Sequence, residues 1–217
     1  MSVSVVVLAA GKGTRMKSDL PKVLHKVLGR PLLAHALDKL SFIENQYVVV
    51  GHESDMVINS LPSSTKHIMQ KDQLGTGHAV ATVVSDDLFV DNKSEFTVVV
   101  PGDVPAIDAK DIELLISEVE TKSSPVGFLT AIVNNPYGYG RVIRNNEETR
   151  IVEEKDCIDG EREINEINSG IYCFKTDFLI ENIDSLDTKN AQGEFYLTDL
   201  IGIANNQKQD IVIVQVD

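Results

Sequence analysis

Val3-Ser4-Val5-Val6-Val7-Leu8-Ala9-Ala10-Gly11-Lys12-Gly13-Thr14-Arg15-Met16 is the stretch on which the fold turns. Residues 3–8 are a short, almost wholly apolar and mainly β-branched run, the pattern of a strand buried on both faces of a parallel sheet. The glycines that follow let the backbone bring its N–H groups close to an anion, and basic side chains stand among and after them. Strand, glycine turn and cations in that order suit phosphate binding at the C-terminal edge of a sheet. Two other glycine loops fail on spacing. A dinucleotide fingerprint needs a third glycine where Met16 stands, and a P-loop needs Gly-Lys-Ser/Thr after four spacer residues. For the loop alone, a plain glycine turn joining strand to helix remains a competing reading.

Working outward, the chain has 217 residues and a formal net charge of -13, a field that repels nucleic acid and anionic membranes. Within it, residues 12–30 gather Lys12, Arg15, Lys17, Lys22, Lys26 and Arg30 against one acid, Asp19. A charge run is usually a solvated face, but beside these glycines a local cationic site on an acidic body favours anion binding. Cys157 and Cys173 are the two cysteines, too few for a disulfide framework and without metal-ligand spacing. They read as inert thiols in a reducing compartment. The first apolar run lacks a basic lead and a small-residue cleavage site. No segment reaches the roughly 20 apolar residues of a membrane span, so a cytoplasmic protein is expected.

The buried-strand pattern returns at residues 47–50 and 96–100. Between these runs Leu32, Leu33, Ala36, Leu37 and Leu40 share a helical face, residues 55–61 form a shorter candidate, and residues 108–119 put Ile112, Leu115, Ile116 and Val119 on one side. Residues 1–124 therefore read as a right-handed, doubly wound, Rossmann-like α/β unit on a mostly parallel, mixed sheet. After Pro125 the rhythm changes to strand-like runs at 126–133, 141–143, 150–153 and 167–174, separated by turn residues. Residues 125–217 read as a smaller β-rich substrate lobe, closed by a helix at about 193–205 and a strand at 211–214. One continuous domain over 1–217 is expected.

The loop at residues 8–16, followed by Pro21-Lys22, is similar to the signature of the sugar-1-phosphate nucleotidyltransferases. Six further motifs follow in order. They are Gln70-Lys71-Asp72-Gln73-Leu74-Gly75-Thr76-Gly77-His78-Ala79, Pro101-Gly102-Asp103-Val104-Pro105, Gly138-Tyr139-Gly140-Arg141, Val152-Glu153-Glu154-Lys155-Asp156, Glu166-Ile167-Asn168-Ser169-Gly170 and Asn190-Ala191-Gln192-Gly193-Glu194-Phe195-Tyr196. The set covers nearly the whole chain. It resembles the N-terminal pyrophosphorylase domain of the bacterial bifunctional UDP-N-acetylglucosamine pyrophosphorylase and glucosamine-1-phosphate acetyltransferase family. The resemblance implies a nucleotide-diphospho-sugar transferase fold and a Mg²⁺-assisted reaction. A phosphate oxygen of N-acetylglucosamine 1-phosphate attacks the α-phosphorus of UTP in line, giving pyrophosphate and the UDP-N-acetylglucosamine that feeds peptidoglycan and lipopolysaccharide synthesis. In that family a left-handed β-helix with acetyltransferase activity follows and forms trimers, and a second metal ligand, an asparagine, lies just past position 217. An oligomer is expected only through that further portion.

The chemistry fits residues of these types. A phosphate monoester, with a second pKa near about 6, is a dianion at neutral pH and needs no protein base, which suits a chain without a Ser/His/Asp or Cys/His constellation. Transfer requires alignment of two anions and neutralisation of charge on the leaving group. Arg15 offers a fork of donors and Lys22 a compact charge, so both are expected electrostatic catalysts. Asp103, just past the strand at 96–100, is either a turn aspartate or, as the resemblance implies, a catalytic carboxylate that ligates Mg²⁺.

The resemblance further implies that Leu8, Ala9, Ala10, Gly11, Gly13, Lys22, Gly102 and Asp103 bind the nucleotide. Gln70, Gln73, Gly75 and Thr76 would hold uracil, whose imide edge amide groups can read. Gly140, Glu153 and Asn168 would hold the sugar. His25, His35, His52 and His67 stand singly without metal spacing. His78 reads as structural support for the uracil loop, and Tyr137 and Tyr139 as loop-packing residues. Two alternatives stay open: a nucleotidyltransferase of other base or sugar specificity, which fold alone does not separate, and a UDP-sugar binding module with little turnover.

Overall fold

The structure is a computed structural model and describes residues 1–11, 13, 16–145 and 148–216. In chain order the elements are β1 (Val3–Leu8), β2 (Lys26–Val27), β3 (Arg30–Pro31), α1 (Leu32–Lys39), β4 (Asn45–Val50), α2 (Ser54–Ser60) and β5 (Lys66–Met69). Then come α3 (Thr76–Val84), α4 (Asp87–Val90), β6 (Phe96–Pro101), α5 (Ala109–Thr121), β7 (Val126–Ile132), β8 (Arg141–Arg144) and β9 (Thr149–Val152). The chain closes with β10 (Glu166–Lys175), α6 (Thr176–Asn182), α7 (Asp199–Asn206) and β11 (Ile211–Val216).

The apolar run of β1 behaves as a strand covered on both faces. Val5, Val6 and Val7 are all fully buried. Val5 and Val7 face one core with Val48, Val50, Val98 and Val100, while Val6 faces the other with Tyr47, Val49 and Val99. The period of two thus splits each central strand between two helical layers. In α5 the apolar residues Ile112, Leu115, Ile116 and Val119 are buried, and Asp108 caps the helix by accepting from the Lys110 N–H at 3.0 Å.

The main sheet runs β11-β7-β10-β6-β1-β4-β5. Pairs β6/β1, β1/β4, β4/β5 and β11/β7 are parallel, whereas β10 is antiparallel to β6 and β7. The β8/β9 hairpin attaches through β10. The strands after Pro125 are therefore part of the same sheet. The chain steps outward from β1 to β4 and β5, then crosses back to place β6 on the other side of β1. Between the C-terminal ends of β1 and β6 lies the switch point at which open α/β sheets form a binding crevice.

The structure shortens one element of the sequence reading and adds two that the reading did not delimit. The closing helix begins at Asp199 rather than near 193, because the backbone at 195–197 bonds to the loop at 74–77. β5 is a short edge strand whose Lys66 and His67 hide its alternation. α3 is a helix despite three valines and two threonines, since Val80 and Val83 are buried against the sheet and packing overrides propensity. Among the described residues, no helix is long and apolar enough to cross a membrane.

Candidate functional site

A cleft of about 840 Å³ opens over the C-terminal ends of β1, β5 and β6. Its floor is the residue pair after β1. Ala9 and Ala10 are buried, the Ala9 N–H donates to the Val49 carbonyl at 2.9 Å, and the Ala10 carbonyl accepts from His52 N–H at 3.2 Å. Gly11 stands in open space. Gly13 has φ +58°, and a β-carbon there would lie 2.6 Å from Cβ of Lys22. The loop can therefore close on the Lys22 segment only with glycine at this position. Lys22 opens a short 3-10 turn after Pro21, and its ammonium contacts the Asp103 carboxylate directly. Arg15, the other expected catalyst, lies outside the described residues.

The second wall is the segment between β5 and α3. Gln70 is 2% exposed, and its amide nitrogen is 3.2 Å from the Gly75 carbonyl and 3.0 Å from His78 Nδ1. The Gln73 amide nitrogen donates to the carbonyls of Gln70 at 2.9 Å and Lys71 at 3.1 Å. Gly75 sits at φ +111°, where a β-carbon would lie 2.5 Å from the Phe195 carbonyl oxygen. The segment is fastened by Phe195 N–H to the Leu74 carbonyl at 2.8 Å, Gly77 N–H to the Phe195 carbonyl at 2.8 Å, and Leu197 N–H to Thr76 Oγ1 at 3.1 Å.

The third wall brings together Gly140, Glu153 and Asn168. A β-carbon on Gly140 would come within 3.6 Å of both Asn168 and Glu153, and Asn168 N–H donates to the Gly140 carbonyl at 2.9 Å. Asn168 precedes a bulge in β10. Its Nδ2 donates to Tyr172 Oη at 2.5 Å and its Oδ1 accepts from Gly170 N–H at 3.1 Å. Burial pushes the Glu153 carboxyl up from its ordinary pKa; a hydrogen bond from Thr198 opposes the shift, and Asp156, Asp199 and Glu194 add to it. Thr198 Oγ1 is 3.4 Å from Glu153 Oε1.

Leu8, Ala9, Ala10, Gly11, Gly13, Lys22, Gln70, Gln73, Gly75, Thr76, Asp103, Gly140, Glu153 and Asn168 all line this one cleft. Gly102 does not. It is buried behind the end of β1, donating its N–H to the Leu8 carbonyl at 2.9 Å, and packs β6 against β1. Tyr172, Thr198 and Glu194 line the cleft without having been singled out. They sit within strand and helix patterns that read as packing. Cys157 and Cys173 are buried, and burial pushes both thiols up, as expected of unreactive groups.

For a divalent cation, Asp103 is the carboxylate beside Lys22 and the glycine loop, and no cluster of three metal-binding side chains occurs among the described residues. One hard carboxylate fits Mg²⁺, which keeps several waters and takes its remaining oxygens from substrate.

Three bacterial proteins named Bifunctional protein GlmU are similar to almost all of this chain. The protein from Fervidobacterium nodosum is 45% identical over 216 residues, 98% of this chain and 47% of its own length. That from Lactococcus lactis subsp. lactis is 46% identical over 215 residues, 97% and 46%. That from Clostridium beijerinckii is 45% identical over 211 residues, 95% and 46%. The chain spans about half the length of the curated relatives it matches. A Bacillus anthracis crystal structure, provisionally assigned as a glucose-1-phosphate thymidylyltransferase in complex with a sucrose, shares the fold with TM-score 0.77 and 21% identity, over 100% of this chain and 87% of that one. The MobA-like NTP transferase domain matches residues 5–145, from within β1 to the end of β8, and the chain belongs to the MobA-like NTP transferase family.

Proposed function

We propose that this chain is a uridylyltransferase that joins UTP and N-acetylglucosamine 1-phosphate to give UDP-N-acetylglucosamine and pyrophosphate. The observation that carries the reading is that a phosphate loop, an amide-lined base wall and a wall of Glu153 and Asn168 converge on one cleft. The similarity to GlmU proteins over nearly the whole chain supports the same choice. Residues 1–124 would carry the nucleotide and residues 125–217 the sugar. The whole relatives are about twice as long, and any assembly is assigned to the portion outside this chain.

In the reaction a sugar phosphate oxygen forms a bond to the α-phosphorus of UTP as the bond to the bridging oxygen of pyrophosphate breaks. The attacking dianion carries no proton at neutral pH, so none has to be removed. The residues act by position and charge. Backbone N–H groups of Gly11 and Gly13 would face the triphosphate, and Lys22 would meet the charge that grows on pyrophosphate, with Arg15 assigned the same task. Asp103 would hold Mg²⁺, whose chemistry when bound is to neutralise the triphosphate and its leaving group. Glu153 accepts one distant hydroxyl donor from the protein, so a sugar hydroxyl or acetamido N–H supplies what this buried carboxyl lacks.

Pyrophosphate release measured with UTP, N-acetylglucosamine 1-phosphate and Mg²⁺ tests the reading. Turnover that prefers another base or sugar refutes the substrates. Absence of turnover with retained UDP-N-acetylglucosamine binding leaves a binding module.

A further inference from the structure

We propose that His78 is a positioning residue that makes the base wall select uracil over cytosine, by holding the Gln70 side chain with its amide oxygen toward the cleft. The proposal rests on the reading of this cleft as a UTP site and adds to it the device that chooses the pyrimidine.

The hydrogen bonds around Gln70 leave its amide a single orientation. A backbone carbonyl only accepts, so the Gln70 atom 3.2 Å from the Gly75 oxygen must be the amide nitrogen. The same nitrogen lies 3.0 Å from His78 Nδ1, which therefore accepts and leaves the imidazole proton on Nε2. Both hydrogens of the Gln70 amide are then used inside the protein. What this nearly inaccessible residue presents to the cleft it lines is Oε1, an acceptor.

Uracil offers a donor, N3–H, between two carbonyls. Cytosine offers an acceptor at N3 beside an amino donor. An oxygen fixed opposite N3 pairs with the first base and repels the second. Of the adjacent first-turn N–H groups of α3, which helix geometry leaves without intrahelical partners, that of Gly77 is taken by the Phe195 carbonyl and that of Thr76 supplies the donor for the neighbouring uracil carbonyl.

His78 is itself held. It lies in the first turn of α3, its ring packs on Phe195 with centroids 6.3 Å apart and planes at 30°, and Phe195 bonds to Leu74 and Gly77. Gln73 does not depend on His78, because its amide nitrogen is engaged by the carbonyls of Gln70 and Lys71. His78 thus fixes one amide and leaves the rest of the wall to the backbone.

The test compares kcat/KM for UTP, 5-methyl-UTP and CTP in the wild type, His78→Leu and His78→Asn. His78→Leu removes the acceptor and leaves the Gly75 carbonyl as the remaining anchor. The preference for UTP over CTP is expected to fall about tenfold, with 5-methyl-UTP, which has the same N3–H and O4 edge, tracking UTP. His78→Asn retains an acceptor oxygen near the Nδ1 position and is expected to keep the preference. A purely structural role lowers UTP and CTP turnover in the same proportion, and an unchanged ratio in His78→Leu overturns the proposal while leaving the uridylyl reading standing. A wild type that shows no preference for UTP over CTP overturns both. Should His78→Leu fail to fold, ¹⁵N NMR of the wild-type ring decides independently: protonated Nε2 with bare Nδ1 supports the proposal, and protonated Nδ1 overturns it.

Discussion

Arg141 is 1% exposed, and its guanidinium ties the loop bearing Gly140, at the proposed sugar end of the cleft, to Glu154 and the Arg162 carbonyl. Nη1 donates to the Tyr139 carbonyl, and Nη2 donates to Glu154 Oε2 at 2.7 Å. The same Glu154 oxygen accepts from Gly138 N–H at 2.9 Å. The Gly138 N–H and then Arg141 hold the Glu154 carboxyl below the usual range. A buried ion pair adds little net stability against an apolar pair, but removing one partner leaves a charge stranded. Glu154→Ala is therefore expected to destabilise the chain by about 3 kcal/mol, read by urea denaturation. The loop bearing Gly140 loses its tether in the same variant. KM for the sugar phosphate should rise severalfold with KM for UTP little changed, and equal rises in both would show the loop to be fastened by other groups.

At the scale of elements, the segment from Asn190 to Thr198 joins two walls of the cleft. On one side Phe195 and Leu197 bond to Leu74, Thr76 and Gly77. On the other, Tyr196 Oη donates to Asp156 Oδ2 at 3.0 Å, and Thr198 reaches Glu153. The tight point is Gly75, where any side chain combines a φ of +111° with a contact 2.5 Å from the Phe195 carbonyl oxygen. Gly75→Ala is expected to cost about 3 kcal/mol, measured by thermal unfolding, and to lower UTP turnover by displacing the carbonyl that anchors Gln70. A variant as stable and active as the wild type would show that the strap gives way freely.

This segment also marks where the sequence stops being readable. β1, β6 and α5 were legible because burial writes itself as apolar runs of period two or 3.6. The glycine loop was legible as part of a site because a glycine pair between a buried strand and cations suits close approach of backbone to an anion, and Gly11 and Gly13 do line the cleft. Periodicity extended the last helix back to 193, but hydrogen bonds from a loop more than a hundred residues earlier hold 195–197 out of helical form. Tyr172 and Thr198 escaped notice for a related reason. Their side chains face the cleft because of a bulge and a helix start, and neither leaves a period or a motif. Gly102, placed with the ligand by motif, stands where β6 approaches β1 and does not line the cleft.

Over the whole molecule, the excess negative charge, -13 by formula, governs how stability follows pH. Asp199, Glu153, Asp156, Asp187 and Glu194 lie near enough to act on one another. Burial first, then Asp187 and Asp156, push Asp199 up to about 6, and burial pushes Glu153 up as well. Groups raised in this way hold their protons to higher pH in the folded chain than in the unfolded one. The stability they contribute is complete below the ordinary carboxylate value and is lost as pH rises through the folded one. Glu154, Glu161, Asp187 and Asp38 are shifted downward. Their contribution is present above the ordinary value and disappears as pH falls through the folded one.

The two sets leave a maximum on the acid side of neutrality, between the ordinary carboxylate value of about 4 and the Asp199 value of about 6. Lower net charge in that window acts in the same direction. The midpoint of thermal unfolding is expected to rise as pH is lowered through about 6 toward the ordinary carboxylate value of about 4 and to fall again below it. Asp199→Asn removes the anion that neutral pH forces into this acidic corner. Asp199 keeps contact with water, which screens its neighbours, so the gain at pH 8 is about 1 kcal/mol, shrinking toward nothing as the wild-type carboxyl becomes protonated. A gain of equal size at pH 5 and pH 8 would place the effect in helix capping rather than in charge.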